Sequence, residues 1–349
     1  MGLREAVAAA GTGEVGTRFL RPDGTAYAAI GVSGSQDHDG PTAELEILRG
    51  QLSRLLLEAG RGRVEVRYGD HVVRAGQDER GVDVVTAAGR RERYDLLVIA
   101  EGKRSATRYL VFPGEAGYRD LGQYVAYGTI ERSDTDDDWW QWLTATGSRV
   151  ASLRPDNTGT TRATLAFLAP PMGINRLGTA AQIEVLRERF AGLGWHTPRI
   201  LDGFAARPDD FYFERIEKVT MPRWTHGRVA LLGDAAWAGP TGMGTSLALL
   251  GAYVLAGELA RAPLDTPGAL RAYERLLRPH VEKTQRIPPG LPGIALPKTR
   301  WGLKVLQGAH RLVATRPLRD ALGPAAAPFD LPEYPELRAE AHAEVRQGQ

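Results

Sequence analysis

Residues 228–259, which read RVALLGDAAWAGPTGMGTSLALLGAYVLAGEL, constrain the fold of this chain more than any other stretch. Four apolar residues at 229–232, between an arginine and a glycine, predict a buried parallel strand. A loop rich in Gly and Pro follows at 238–244. Residues 245–259 contain no Pro and are apolar almost all round, which predicts a buried helix capped by Thr245 or Ser246.

A strand, a glycine-rich loop and a helix N-terminus in this order are typical of an anion-binding site. Backbone N–H groups converge at a helix N-terminus, and the helix dipole favours negative charge there. Gly242 and Gly244 lack a Cβ, so a ligand has room against the backbone. Asp234, at the carboxyl end of the strand, is placed to accept hydrogen bonds from ligand hydroxyls. The alternative is that Gly233 and Asp234 form only a turn and that the helix only fills the core.

A second buried strand is predicted at residues 95–100, DLLVIA, directly before Glu101 and Gly102. Between the two strands, residues 118–221 contain longer and more aromatic strands, which favour an antiparallel sheet. We therefore predict a discontinuous α/β domain, residues 1–112 with 222–286, interrupted by an antiparallel-sheet domain at 113–221. Residues 287–349 are predicted to form a linker, a C-terminal helix and a tail. The two buried strands should lie in one parallel sheet.

Composition and charge exclude several classes of function. The 44 basic and 42 acidic residues give a net charge of +2, so we expect no nucleic-acid partner. The absence of cysteine excludes disulfides and thiolate chemistry and fits a cytoplasmic protein. No apolar run reaches membrane-spanning length, and the seven histidines lack the spacing of a metal site. The expected partner is a small molecule.

Three motifs follow one another in a fixed order along the chain. The first is a helix carrying Leu48, Arg49 and then Leu52. The second is DLLVIAEG followed by KRSATR, and the third is RVALLGDAA followed by a Pro, paired Gly residues and a long helix. Together they resemble the class A flavoprotein monooxygenases, the aromatic hydroxylase group that includes the tetracycline-inactivating oxygenases. The resemblance implies an α/β fold with a Rossmann-like FAD-binding domain and an inserted antiparallel β-sheet substrate domain.

The third motif is the most specific part of the resemblance. In the family, the Gly-Asp pair contacts the ribityl chain of the flavin, and the Pro/Gly loop lies along the isoalloxazine ring. The resemblance therefore implies that FAD is bound by Gly233, Asp234, Pro240, Gly242 and Gly244.

The other two motifs imply further cofactor contacts. Glu101 and Gly102 stand where the family has an Asp-Gly pair tied to FAD and NAD(P)H binding, and Ser105 and Arg108 are in their expected places. Arg49 corresponds to the arginine that reaches the pyrophosphate region of FAD. From the residues alone, Arg49 is expected to be a solvated surface arginine, because most arginine side chains are exposed, and it is the resemblance that makes it a candidate cofactor contact.

Two departures from the family pattern affect the prediction. The family begins with a βαβ unit carrying G-x-G-x-x-G, and no such motif is present; Gly11 and Gly13 do not replace it, because no strand precedes them. We expect a segment of at least ~30 residues, the size of one βαβ unit, to be absent. The flavin-side loop is also shorter than the usual family form, with Trp237 where His or Tyr is frequent.

The resemblance implies a reaction as well as a fold. Class A monooxygenases use FAD reduced by NAD(P)H, and a flavin hydroperoxide then delivers one oxygen atom to an aromatic or polycyclic substrate. In the family, the inserted sheet covers the flavin. Strand alternation puts Trp140 and Trp142 on one face, as candidate substrate contacts, and Trp139 on the other; the alternative is ordinary sheet packing. The second candidate function is a truncated remnant with weak or no FAD binding, acting as an interaction protein or inactive.

Overall fold

The structure, a computed structural model, describes residues 2–31, 46–288, 290–315, 329–335 and 337. The chain divides into two compact units. The first unit comprises Met1–Glu65, Gly122–Ile216 and Pro288–Ala326, and the second comprises Val66–Leu121, Glu217–Ile287 and Ala327–Gln349. Within the described part of the chain, no helix has both the length and the apolarity needed to cross a bilayer. Most of the predicted tail lies outside the described residues.

Helices and strands are labelled here in chain order. The first half of the chain contains α1 (Arg4–Ala9), β1 (Gly16–Leu20), β2 (Ala26–Gly31), α2 (Arg49–Ala59), β3 (Val72–Gln77), β4 (Val82–Thr86), β5 (Arg91–Tyr94), β6 (Leu97–Ile99), α3 (Ala106–Val111), β7 (Gly117–Glu131), β8 (Trp139–Ala145), β9 (Arg149–Pro155) and β10 (Thr160–Leu168). The second half contains α4 (Thr179–Phe190), α5 (Thr197–Ala206), β11 (Tyr212–Thr220), β12 (Thr225–His226), β13 (Val229–Leu231), α6 (Asp234–Trp237), α7 (Gly244–Arg261), α8 (Thr266–Thr284), α9 (Leu291–Ala295) and α10 (Arg300–Val313). Two short 3-10 helices lie at Ile174–Arg176 and Pro208–Asp210.

A seven-stranded sheet in the order β11-β7-β10-β9-β8-β1-β2 organises the first unit. Helices α4 and α5 pack their apolar side chains on one face of it, against residues such as Leu165 and Phe167. A Cβ on Gly128 of β7 would collide with the Phe204 ring of α5, so this glycine lets the helix approach the sheet closely. The strand-rich insert that the sequence predicts is therefore confirmed as a sheet with one helix-covered face.

On the opposite face of this sheet, the side chains change from charged to apolar along the direction of the strands. Strand pairing aligns three rows of side chains across it. The first row is polar and charged, the middle row mixes aromatic and hydroxyl groups, and the third is mostly apolar. The rows are Thr129, Arg162, Arg154, Trp140 and Thr17, then Tyr127, Thr164, Ser152, Trp142 and Phe19, then Val125, Ala166, Val150 and Thr144.

The apolar end of that face is covered by the segment that follows α8. Leu296 is buried against Val125, Val150 and Ala166, and Trp142 packs at the edge of the same cluster. The backbone N–H of Gly147 donates to the Lys298 carbonyl at 2.9 Å. The Pro/Gly segment predicted as a linker thus contains α9 and contributes to the core of the first unit.

The second unit is built around a three-stranded sheet in the order β12-β13-β6. Strands β6 and β13 are parallel, with Leu97 opposite Val229 and Ile99 opposite Leu231. This pairing confirms that the two buried strands share one parallel sheet. Helices α7 and α8 pack on it and fill a core that contains Val254, Leu270, Tyr273 and Leu277, while β3, β4 and β5 form a separate antiparallel sheet.

The division into units differs from the predicted domain boundaries most clearly at the start of the chain. Strand β1 pairs in parallel with β8, so the hairpin β1–β2 extends the large sheet. Residues 1–65 therefore group with the aromatic strands, whereas the sequence prediction joined them to the strands at 95–100 and 229–232. The functional assignment of the domains stays a prediction.

Candidate functional site

The candidate site lies at the carboxyl ends of β6 and β13. The N–H of Leu232 donates to the Ile99 carbonyl at 2.9 Å, which continues the parallel pairing by one residue. Because parallel strands end at the same edge of a sheet, Glu101 and Gly102 emerge beside Gly233 and Asp234. The structure thus brings together the second and third sequence motifs.

Gly233 makes the turn that leaves the strand. Its φ of 62° and ψ of −140° lie in a region that residues with a Cβ rarely adopt. The turn leads directly into α6, whose first residue is Asp234, and the carbonyl of Gly233 accepts from the N–H of Ala236 at 2.9 Å. A glycine is therefore required here by backbone geometry, which explains why the sequence has Gly before Asp.

The Asp234 side chain is exposed and points toward the start of α7. A Cβ built on Gly244 would lie 3.7 Å from Asp234 Oδ1, so the carboxylate is next to the first turn of that helix. The N-cap residue of α7 is Met243, whose side chain does not cap the helix. The predicted caps, Thr245 and Ser246, are wrong, because α7 begins one residue earlier and both lie inside its first turn. The first turn of this 18-residue helix therefore receives no cap from its own N-cap residue.

The loop between α6 and α7 is open on the side that the glycines face. Gly242 has a φ of 76°, is exposed, and would place a Cβ more than 4 Å from any other atom. Pro240 is also exposed, whereas the Thr241 hydroxyl is buried without a hydrogen-bond partner among the described residues. Open space over a glycine, a nearby helix N-terminus and an unsatisfied hydroxyl fit a ligand that presents acceptor atoms to this loop.

The loop is held from behind by a buried glutamine that sequence reasoning missed. Gln285 Nε2 donates to the Trp237 carbonyl, and the Gln285 carbonyl accepts from Lys218 Nζ at 3.0 Å. The N–H of Val219 donates to the Ala238 carbonyl at 2.9 Å. Trp237 itself is buried with its ring 4.4 Å from that of Trp224. Trp237 therefore belongs to the core, and the backbone of the loop is fixed before any ligand arrives.

Glu101 organises the turn that follows β6. Its carboxylate accepts from the Ser105 hydroxyl at 2.6 Å and from the Thr107 N–H at 2.9 Å, and also from the Thr107 hydroxyl. Burial opposes ionisation of this carboxyl, but these hydrogen bonds outweigh it and hold the pKa of Glu101 below its ordinary value. Glu101 is thus an ionised cap for the short helix α3.

Arg108 connects this turn to the loop after β13. Its side chain is 0% exposed, and Nη1 donates to the Ala235 carbonyl at 2.7 Å. Nη2 donates to the Lys103 carbonyl at 2.9 Å and to the Tyr118 hydroxyl. All three acceptors belong to the protein, so the structure gives Arg108 a role in positioning α6 and its neighbouring loop.

The remaining predicted site residues lie in the first unit. Arg49 is the exposed first residue of α2, a helix without a side-chain cap. Its neighbour Gln51 donates to Asn157 Oδ1 at 2.9 Å, and Asn157 donates to the Ala10 carbonyl at 3.0 Å, so α2 is tied to the unit close to Arg49. Arg49 therefore belongs to the first unit, whereas Gly233, Asp234 and Glu101 belong to the second.

Trp140 and Trp142 lie on one face of β8, as alternation predicts, with ring centroids 4.9 Å apart. The guanidinium of Arg154 lies 4.4 Å from the Trp140 ring centroid and also pairs with Glu14 and, at 2.8 Å, with Glu46. Burial raises the pKa of the Glu14 carboxyl, against the charge of Arg154. Sequence reasoning missed this cluster, because its members come from separate segments that carry no shared local pattern.

The comparisons with known proteins agree with this geometry. The profile of a family described as FAD binding domain matches residues 1–286. FAD-dependent monooxygenase asL6 of Sarocladium schorii is 31% identical over 368 residues, covering 98% of this chain and 86% of that protein. Monooxygenase CTB7 of Cercospora beticola is 31% identical over 360 residues, covering 96% and 85%.

Solved structures show the same relationship. Tetracycline destructase Tet(55) matches with a TM-score of 0.75 and 28% identity, covering 95% of this chain and 84% of that one. Klebsiella pneumoniae HpxO, solved with FAD and uric acid, shares the fold with a TM-score of 0.73 at 22% identity, over 88% and 79%. The family match over most of the chain, together with relatives above 30% identity, shows that this chain belongs to the FAD-dependent monooxygenases that carry this FAD-binding domain.

Proposed function

We propose that this chain hydroxylates an aromatic or polycyclic small molecule, using FAD as its cofactor and NAD(P)H as reductant. The observation that carries the proposal is the arrangement around Gly233. A parallel strand ends in a glycine-only turn, an exposed carboxylate follows, and an open loop leads into the N-terminus of an 18-residue helix. This arrangement lies within the FAD-binding-domain match, so the geometry and the family support the same ligand.

The cofactor would be held by two kinds of contact. Asp234 offers an acceptor for the hydroxyls of the ribityl chain, and Gly242 and Gly244 leave the backbone open along the loop. Pro240 stiffens that loop because its φ is fixed. When bound, FAD supplies the electron transfer from NAD(P)H and the activation of O2, which no amino-acid side chain provides.

Glu101, Gly102 and Arg108 serve the same site in a different way. The Glu101 carboxylate fixes the turn at residues 101–107, and Arg108 holds the Ala235 carbonyl from behind. We therefore assign Glu101 and Arg108 to positioning of the loops that meet FAD, and Gly102 to the turn between them. Arg49 stays a candidate for the pyrophosphate region, supported by its exposure on a helix without a side-chain cap.

The middle row of the large sheet is the candidate surface for the substrate. Trp142 and Tyr127 present aromatic rings, and Thr164 presents a hydroxyl in the same row, whereas Ser152 is buried. Such a row suits a flat ring system that carries polar substituents. The similarity to a tetracycline destructase, at 28% identity, supports a polycyclic substrate.

Oxygen incorporation tests the proposed reaction. The protein is supplied with FAD, NADPH or NADH and a panel of phenols and polycyclic aromatics under isotopically labelled O2. We expect one compound to gain a single labelled oxygen atom while NAD(P)H is consumed. Consumption of NAD(P)H across the whole panel without labelled product would contradict the hydroxylase assignment.

The contact assigned to Asp234 has its own test. Asp234→Asn keeps an acceptor but removes its charge, which weakens the hydrogen bond by about 1 kcal/mol, so FAD affinity should fall by about fivefold. Asp95→Asn is the matched control, because Asp95 precedes β6 at the opposite edge of the same sheet. Equal FAD affinity in both variants, measured by titrating apoprotein, would rule the contact out.

The second candidate function, a remnant that acts as an interaction protein, is not favoured by the comparisons, because named monooxygenases match nearly the whole chain. A cytoplasmic location stays a prediction that rests on the absence of cysteine. The proposed partner is the small-molecule substrate alone.

A further inference from the structure

Helix α10 carries two apolar stripes on opposite sides. The inner stripe contains Leu303, Leu306, His310 and Val313 and is partly buried where α10 contacts β2. The His310 ring stacks on Phe19 with centroids 3.9 Å apart, and its Nδ1 lies 2.8 Å from the Tyr27 hydroxyl. The inner stripe is sufficient to attach the helix to its unit.

The outer stripe is exposed, so packing against the unit does not explain its apolar side chains. Trp301, Val305 and Leu312 are 76%, 51% and 59% exposed. Their spacing of four and seven residues places them on one side of the helix. Ile294 of α9, a helix that contacts α10, is exposed as well. Contiguous exposed apolar patches rimmed by polar residues mark interaction surfaces.

The charges beside the outer stripe are all of one sign. Lys298, Arg300, Lys304 and Arg311 are exposed, and among the described residues none of them forms an ion pair. The sequence from 287 to 319 contains no acidic residue. On α10, helical spacing places Lys304 and Arg311 on the flank between the two stripes, and the Arg311 guanidinium also lies 5.8 Å from the centroid of the Tyr27 ring. The basic apolar surface, defined as the outer stripe with Ile294 and these four cations, is therefore both hydrophobic and uncompensated in charge.

We propose that the basic apolar surface binds the face of an anionic lipid bilayer peripherally, with α10 lying in the plane of the interface. Tryptophan favours the boundary between headgroups and acyl chains, and lysine and arginine beside an apolar stripe attract acidic headgroups. Self-association through the same surface is disfavoured, since two copies related by a twofold axis would bring like charges together. The positive charge thus selects lipid over a second copy.

Vesicle flotation tests the proposal on the full chain. We expect the protein to float with phosphatidylcholine vesicles that contain about one quarter phosphatidylglycerol and to stay behind with phosphatidylcholine alone, and binding should weaken as salt rises. Trp301→Ser should lower the partition coefficient about tenfold. Replacing both Lys304 and Arg311 by Gln should lower it roughly 25-fold, at about fivefold for each cation.

Matched variants elsewhere provide the control. Leu264→Ser removes an almost fully exposed apolar side chain from the second unit, and Lys283→Gln removes an exposed cation from α8. Both should bind vesicles like the parent, and unchanged melting temperatures show that all variants are folded. Equal binding to neutral and anionic vesicles, or loss of binding in the controls as well, would overturn the proposal. So would a dimer that Trp301→Ser converts to monomer in the absence of any vesicle binding.

Discussion

Replacement of Arg108 by Met is the perturbation for which the structure gives the clearest expectation. The side chain is fully buried and supplies donors to the Ala235 and Lys103 carbonyls and to the Tyr118 hydroxyl. Methionine has a similar length but no donor, so the two carbonyls lose their partners. Each unsatisfied buried acceptor costs about 1–3 kcal/mol, which gives roughly 2–6 kcal/mol in total.

Part of this loss is offset, because the variant no longer buries a cation. We therefore expect the free energy of unfolding to fall by about 3 kcal/mol. With an m-value of about 2 kcal/mol per molar urea, the transition midpoint should fall by roughly 1.5 M. FAD affinity should fall too, since the Ala235 carbonyl belongs to the turn that begins with Asp234.

Arg104→Met is the matched control for this measurement. Arg104 lies four residues earlier, its side chain is 66% exposed, and it pairs with Glu217 at 2.9 Å. An exposed pair contributes about 0.2–1 kcal/mol, so the urea midpoint should shift by less than roughly 0.5 M. If Arg108→Met is as stable as Arg104→Met but binds FAD more weakly, Arg108 contacts the cofactor directly and the positioning role is wrong.

Three further predictions concern the site and its surroundings. Trp142→Ala should raise KM for the aromatic substrate about tenfold, whereas Trp139→Ala, on the other face of the same strand, should leave it within about twofold; equal effects would remove Trp142 from the substrate surface. Gly242→Val forces a β-branched residue to a φ of 76°, so FAD affinity should fall roughly tenfold, and parent-like affinity in a titration would contradict a required glycine. Burial opposes ionisation of Glu101, but its hydrogen bonds hold its pKa below the ordinary 4.5. The stabilisation that ionised Glu101 provides is therefore present above that pH and is lost as the pH falls through the lowered pKa. The melting temperature of Glu101→Gln should depend less on pH in this acid range than that of the parent. An unchanged dependence of melting temperature on pH would refute the effect.

The local part of the candidate site was predictable from the sequence. The apolar run at 229–232, the following glycine and the long apolar helix each carry a pattern that depends only on neighbouring residues. The structure confirms all three as β13, Gly233 and α7, and it pairs β13 with the second predicted strand. The helix start was misplaced by one residue, because Met243 precedes α7 without offering a side-chain cap.

The non-local part was not predictable. The pairing of β1 with β8 joins residues more than 100 positions apart, and no periodicity within the hairpin indicates that partner. Leu296 follows a Pro/Gly run that is typical of a linker, yet it is buried against three strands of the large sheet. The burial of Arg108 also has no sequence signature, since it depends on a carbonyl 127 residues away.

The most direct test of the central claim is the visible absorbance of the purified chain after incubation with FAD and removal of the free cofactor. Oxidised flavin absorbs between about 350 and 500 nm, and its reduction by a nicotinamide bleaches that band. We expect the parent chain to retain the band, NADPH or NADH to bleach it under anaerobic conditions, and air to restore it. A folded chain that retains no flavin at saturating FAD would contradict the assignment of Gly233, Asp234 and the open loop as a flavin site.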